Sequence, residues 1–305
     1  MNPEIVRGWA PFLILMTMGP LAAQEPGARP ESQPGSRPGP ESRPADSDFL
    51  RFVAQGEDQG RMEVALPVYR NAAGVTVTLV SAVHIADAKH YADLVERFAA
   101  FDAVLYELVA KPEDRPEPGK PRAGGLLSMM QRALKNGLEM EFQLDAVDYA
   151  QANFVHADLT PQEFHRLQKE RGESIIGLMF RAMQVEMARV RESGAGGEKP
   201  PDLVRAFRRG EGRHLLRLTL ARQFHDMERL VAGFSPGKEG SVLVEGRNAR
   251  ALEVLDAEVG KGRKNVAIYY GAAHMPDMER RLLARGFVKT GETWLTAWDV
   301  TKRPR

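Results

Sequence analysis

Four apolar runs in this chain each end in an ionisable residue, and that pattern restricts the fold more than any other feature. They are Val75–His84, Asp102–Glu107, Ser241–Asn248 and Asn265–His274. Each has the β-branched, apolar character of a buried strand. His84, Glu107, Glu245, Arg247 and His274 stand at or just beyond the C-terminal ends. In sheets built from βα units, ligands bind outside the carboxyl ends of the strands. Packing alone gives an apolar run no reason to finish on His or Glu four times over, so the pattern predicts one shared pocket.

Around these runs the chain reads as an α/β protein, with α+β as the alternative. A mixed, partly parallel central sheet is expected, flanked by helices and interrupted by a large helical insertion over about 111–238. Residues 61–70 and 74–83 flank the turn Asn71–Gly74 and predict a hairpin. After His84, Asp87 is expected to cap a helix with Tyr91, Leu94, Val95 and Phe98 on its apolar face and His90 toward solvent. In the insertion, helical periodicity runs over 126–138, 143–153, 161–170, 173–191 and 203–230. Thr160-Pro-Gln-Glu163 is a capping box with proline at the first helical position. The sheet resumes with a strand from Ser241 and a helix over about 248–259. A strand over 265–270 and a helix over 278–285 follow. Two short strands, one from Gly286 and one from Thr293, close the chain.

The ends are different in kind. Arg7, the apolar run from Trp9 and the small residues before Gln24 have the layout of a secretory signal peptide over 1–23. A retained N-terminal anchor is the alternative, although the run is short for a span. Residues 24–47 are rich in Pro, Gly, Ser, Glu and Arg, with no aliphatic side chain larger than Ala, and predict a disordered linker. One folded domain over 48–302 is expected to follow, exported to the periplasm or secreted, with no integral membrane span in the mature chain. The net charge of +1 makes no case for nucleic acid. The absence of cysteine excludes disulfides, thiolate metal sites and cysteine nucleophiles.

The motif Ser81-Ala-Val-His84, the strand-ending Glu107, Glu245-Gly-Arg247-Asn248, and Gly271-Ala-Ala-His274 followed by Arg281–Phe287 together resemble the TraB/GumN family. That family is related to the TIKI metalloproteases and more distantly to erythromycin-esterase-like and ChaN-like proteins. The resemblance covers roughly 62–300. Ser81 stands where the family usually has glycine, and Met275-Pro-Asp277 replaces the glycine usual soon after the second histidine. The resemblance implies peptidase-type hydrolysis.

Two imidazoles and a carboxylate form the ligand set of a catalytic divalent metal with an open water position, here His84, Glu107 and His274. A metal-free version would make one histidine the general base toward water. The alternative is structural: two hydrogen-bonded core histidines, and Glu107 paired with Arg247. Arg247 could stabilise an oxyanion, hold a substrate carboxylate or orient Glu107, or form a surface ion pair. Glu245 could be a ligand, a base or the partner of Arg247. Asn248 reads equally as a helix cap or a site residue. Asp158 reads first as a turn aspartate and second as a residue reaching the pocket. His90, His156, His165, His214 and His225 lack paired ligand spacing. The expected partner is a peptide or small-molecule substrate. The competing reading is a non-catalytic protein that sequesters a peptide, a signal molecule or a haem-like ligand in the same pocket.

Overall fold

The computed structural model describes residues 49–116, 137–173, 212–232 and 241–301. The expected signal peptide and linker, all but the last two residues of the expected helix over 126–138, all but the first residue of that over 173–191, and the part of that over 203–230 before Gly212 lie outside the described residues. In chain order, β1 (Leu50–Ala54), β2 (Gly60–Arg70), β3 (Thr76–Ala82) and β4 (Ile85–Ala86) lead to helix α1 (Ala88–Phe98). Next come β5 (Ala103–Tyr106), β6 (Glu141–Phe142), α2 (Gln143–Ala146), β7 (Phe154–His156), α3 (Pro161–Glu170) and α4 (Gly212–Ala232). A π-helical turn (Val242–Gly246) runs into α5 (Arg247–Gly260). Then follow β8 (Asn265–Gly271), a 3₁₀ turn (Ala272–His274), α6 (Met275–Ala284) and β9 (Val288–Asp299).

The protein is α/β. One mixed sheet of seven strands runs β1-β2-β3-β8-β5-β7, with β9 antiparallel to the long β2. The stretch that matters for the site is parallel: β3 pairs with β8, β8 with β5, and β5 with β7. Strand β8, late in sequence, is inserted between two early strands. Side chains alternate along it as a strand buried on both faces requires. Val266, Ile268 and Tyr270 pack with Ala251, Leu252 and Leu255 of α5 and with Met275, Met278 and Leu282 of α6. Ala267 and Tyr269 pack on the other face with Tyr91, Leu94 and Phe98 of α1 and with Leu218 and Ala221 of α4.

The expected β2–β3 hairpin is present. Asn71 Oδ1 accepts from Val75 N at 2.9 Å and Gly74 takes φ +80°, a left-handed conformation that favours glycine. The capping box is also present, with Glu163 N donating to Thr160 Oγ1 and Thr160 N donating to Glu163 Oε2.

Elsewhere the structure corrects the sequence reading. Ser241–Asn248 is not a strand: Ser241 Oγ accepts from Val244 N, and Glu245 Oε2 accepts from Ser241 N at 2.7 Å. These local bonds wind an apolar segment into a π turn. The expected helix over 143–153 stops at Ala146, and Phe154–His156 instead adds a parallel strand beside β5. The two closing strands are one strand, β9, whose pairing with β2 shifts register twice. Asp87 holds the N-cap position of α1 without a capping bond, because its carboxylate accepts from Arg217 Nη2 and from Asp299 N, both at 2.6 Å. His90 is buried and not solvent-facing, with Nδ1 donating to the Thr296 carbonyl at 3.1 Å.

Candidate active site at the carboxyl edge of the parallel strands

Adjacent parallel strands deliver one polar residue each to the same edge. His84 lies two residues beyond β3, Glu107 one beyond β5, Asp158 two beyond β7, and His274 three beyond β8. The 3₁₀ turn after Gly271 carries His274 back over the end of β8, where its ring meets Tyr270 edge-on at 5.2 Å between centroids.

Gly271 shows how closely the groups converge. A Cβ placed there would stand 3.3 Å from Glu107 Oε2, 3.7 Å from His274 Cδ2 and 4.0 Å from His84 Nε2. Three side chains from three strand ends therefore surround a single small volume. His274 Nε2 is 3.5 Å from Glu107 Oε1, and Gly271 N donates to Glu107 Oε2 at 2.6 Å.

Arg247, the first residue of α5, is buried and not at the surface. Its Nη2 lies 2.7 Å from Glu107 Oε1 and 2.5 Å from Asp158 Oδ2, while Nε donates to Asp158 Oδ1 at 3.0 Å. The π turn sets the register that turns this guanidinium inward, a placement typical of such turns at functional sites. Asp158 therefore does reach the pocket, as the anchor of Arg247. Phe154–His156, the strand that carries it, is too short to show a period-2 pattern. The arrangement agrees in part with the structural alternative, since Glu107 does pair with Arg247. Two carboxylates against one guanidinium nonetheless leave the cluster negative when the imidazoles are neutral.

Burial would raise the Glu107 carboxyl. The Arg247 guanidinium, each imidazole when it is protonated, and the Gly271 N–H outweigh it and hold Glu107 well below the usual carboxylate range. Burial lowers both His84 and His274 from the ordinary 6.5, against the opposing pull of Glu107. Arg247 is held firmly protonated by Asp158 and Glu107 despite its burial.

The surrounding residues fix this geometry. Asn248, fully buried at the second position of α5 rather than at its cap, accepts from His274 Nδ1 through Oδ1 at 2.7 Å. On the opposite flank, Gln143 N donates to the His84 carbonyl at 3.0 Å, and its amide nitrogen donates to Tyr149 Oη at 3.0 Å. The Gln143 side chain lies close enough to the His84 ring to favour its protonated form, although its buried Oε1 makes no hydrogen bond of regular geometry. Nothing in the sequence around Gln143 signals this placement. Glu245 is directed to Ser241, with Oε2 accepting from both its N and its Oγ.

Glu107 already uses one oxygen on Arg247 and the other on Gly271. Among the described residues no three His, Asp or Glu side chains are disposed as a metal-binding group. No helix among them is long and apolar enough to cross a membrane. No protein-family model, curated protein or solved structure matches the chain.

Proposed function

We propose that the protein is an exported hydrolase that cleaves a peptide bond or another amide or ester bond at the His84/Glu107/His274 site. The observation that carries this reading is the convergence of both imidazoles and the Glu107 carboxylate around Gly271. Buried, neutral imidazoles beside an ionised carboxylate are suited to proton transfer near neutral pH. On this reading His274 Nε2 removes a proton from water as the water oxygen attacks the carbonyl carbon. Glu107, 3.5 Å away, stabilises the imidazolium that forms. The proton then passes to the leaving nitrogen or oxygen as the carbon–heteroatom bond breaks. Asp158 and Glu107 occupy Nε and Nη2 of Arg247, which leaves Nη1 to donate to the developing oxyanion.

The family resemblance adds a divalent metal, with His84, Glu107 and His274 as its ligands. Such an ion would polarise the carbonyl and acidify a bound water. Among the described residues the side chains as they stand do not form that ligand group.

The test is elemental analysis of the purified full-length protein, followed by turnover of a peptide and ester library with and without chelator. Turnover that is lost in His274→Ala, with folding retained, supports the hydrolase. Chelator sensitivity with stoichiometric metal would add the ion. Ligand binding without turnover, unchanged in His84→Ala, would sink the hydrolase, whereas binding without turnover that weakens in His84→Ala would favour a protein that sequesters its ligand in this pocket.

A further inference from the structure

We infer that Asn248, itself fixed by Asp277, is a positioning residue that holds His274 as its Nδ1–H tautomer and so points the Nε2 lone pair at Glu107. The inference deepens the hydrolase reading and rests on it for its functional meaning, but its structural content can be tested separately.

The orientation of the Asn248 amide follows from its partners. Its Nδ2 lies 3.0 Å from the His274 carbonyl oxygen and 2.9 Å from Asp277 Oδ2, both of which can only accept from an amide. Turning the amide over would set Oδ1 against two acceptors and lose both bonds. Oδ1 must therefore face His274 Nδ1, at 2.7 Å, and that nitrogen must carry the proton. Asp277 cannot drift away, because Arg281 Nε donates to the same Oδ2 at 2.6 Å and Arg280 pairs with Oδ1. Asn248, His274 and Asp277 are all buried, so water does not compete for these bonds.

The consequence lies at the other ring nitrogen. A structural histidine would donate Nε2–H to Glu107. Here the neutral ring presents a bare Nε2 to Glu107 Oε1 at 3.5 Å, a repulsive pairing unless a proton or another electrophile comes between them. A bare nitrogen at that place is what both a general base and a metal ligand require, and fixing the far nitrogen is a general way of providing it. The chain spacing supports the assignment: Asn248 follows Arg247 directly, so a single helix start positions both the guanidinium and the amide.

The experiment is long-range ¹H–¹⁵N spectroscopy of the ring nitrogens in full-length protein labelled at histidine, at mildly alkaline pH. The His274 signals are those missing from a His274→Gln sample among the seven histidines. The expected result is Nδ1 protonated and Nε2 bare in the wild type, with Asn248→Ala shifting the ring mainly to Nε2–H. If hydrolysis has been found, kcat in Asn248→Ala should fall about 10- to 100-fold with KM little changed. A wild-type His274 that is Nε2–H overturns the inference even if the variant does not fold, and so does an unchanged tautomer in a folded Asn248→Ala. The Nδ1–H tautomer without any hydrolysis removes the hydrolase and leaves the positioning role, while hydrolysis by an Nε2–H enzyme does the reverse.

Discussion

Gly271 is the position where one methyl group should do most to the site and least to the fold. Its φ of −51° and ψ of 140° are open to any residue, so alanine brings no backbone strain. Its Cβ would instead push against Glu107 Oε2 at 3.3 Å, a contact that the carboxylate must relieve by moving. Gly271→Ala is expected to lower kcat/KM at least about tenfold, the usual result of a small misplacement of catalytic groups, while denaturant unfolding shifts by less than about 1 kcal/mol. The two imidazoles make a second prediction. Burial lowers both from 6.5, so each stays neutral as the pH falls below that value. The acid limb of kcat/KM should therefore inflect below 6.5, and a limb at or above it would contradict a buried base. The same sign applies to folding: the unfolded chain takes up these protons first, so their contribution to stability is complete above 6.5 and lost as pH falls toward the lowered folded values.

Among the elements, α1 and the π turn show where the sequence could be read and where it could not. The strands β3, β5 and β8 are apolar runs, only four residues long in β5, and their ends are visible because a charged or imidazole residue follows each. Helix α1 is visible from its period, yet His90, expected toward solvent, is buried. Its i, i+4, i+8 relation to Leu94 and Phe98, both buried, was the available signal. With Nδ1 bonded to the Thr296 carbonyl and Nε2 buried without a partner, burial pushes His90 down to about 4. Its contribution is whole above 6.5 and is lost as pH falls to about 4. A shift of that size is worth about 3 kcal/mol. Urea midpoints in His90→Met should lose most of that dependence. The π turn was not legible, because Val242, Leu243 and Val244 have strand composition and only the bonds among Ser241, Val244 and Glu245 override it. Those bonds also commit Glu245 Oε2 to Ser241. Glu245→Gln should destabilise by about 1 kcal/mol, the size of a lost cap, and leave kcat within a few-fold.

The assembled molecule holds what no local pattern could reveal, namely the strand order. His84, Glu107 and His274 meet because β8 is placed between β3 and β5, and Asp158 joins them because the three-residue β7 pairs with β5. Periodicity speaks only of which face a residue takes, not of which strand becomes its neighbour. Arg247 binds this edge together: it ties the start of α5 to the ends of both β5 and β7 through Glu107 and Asp158, whose side chains are 12% and 0% exposed. Removing one partner of a buried ion pair leaves a desolvated charge, typically a loss of about 3–5 kcal/mol. Asp158→Ala is expected to fall in that range while Glu107 still holds the guanidinium. Arg247→Ala should be at least as severe, since it leaves two carboxylates without their shared cation. Because both changes break the same link, the double variant should lose clearly less than the sum of the two, a coupling readable in a double-mutant cycle by denaturant unfolding. Simple additivity would mean that Asp158 and Arg247 act independently, and the carboxyl edge would then owe its shape to the apolar layers on either side of the sheet.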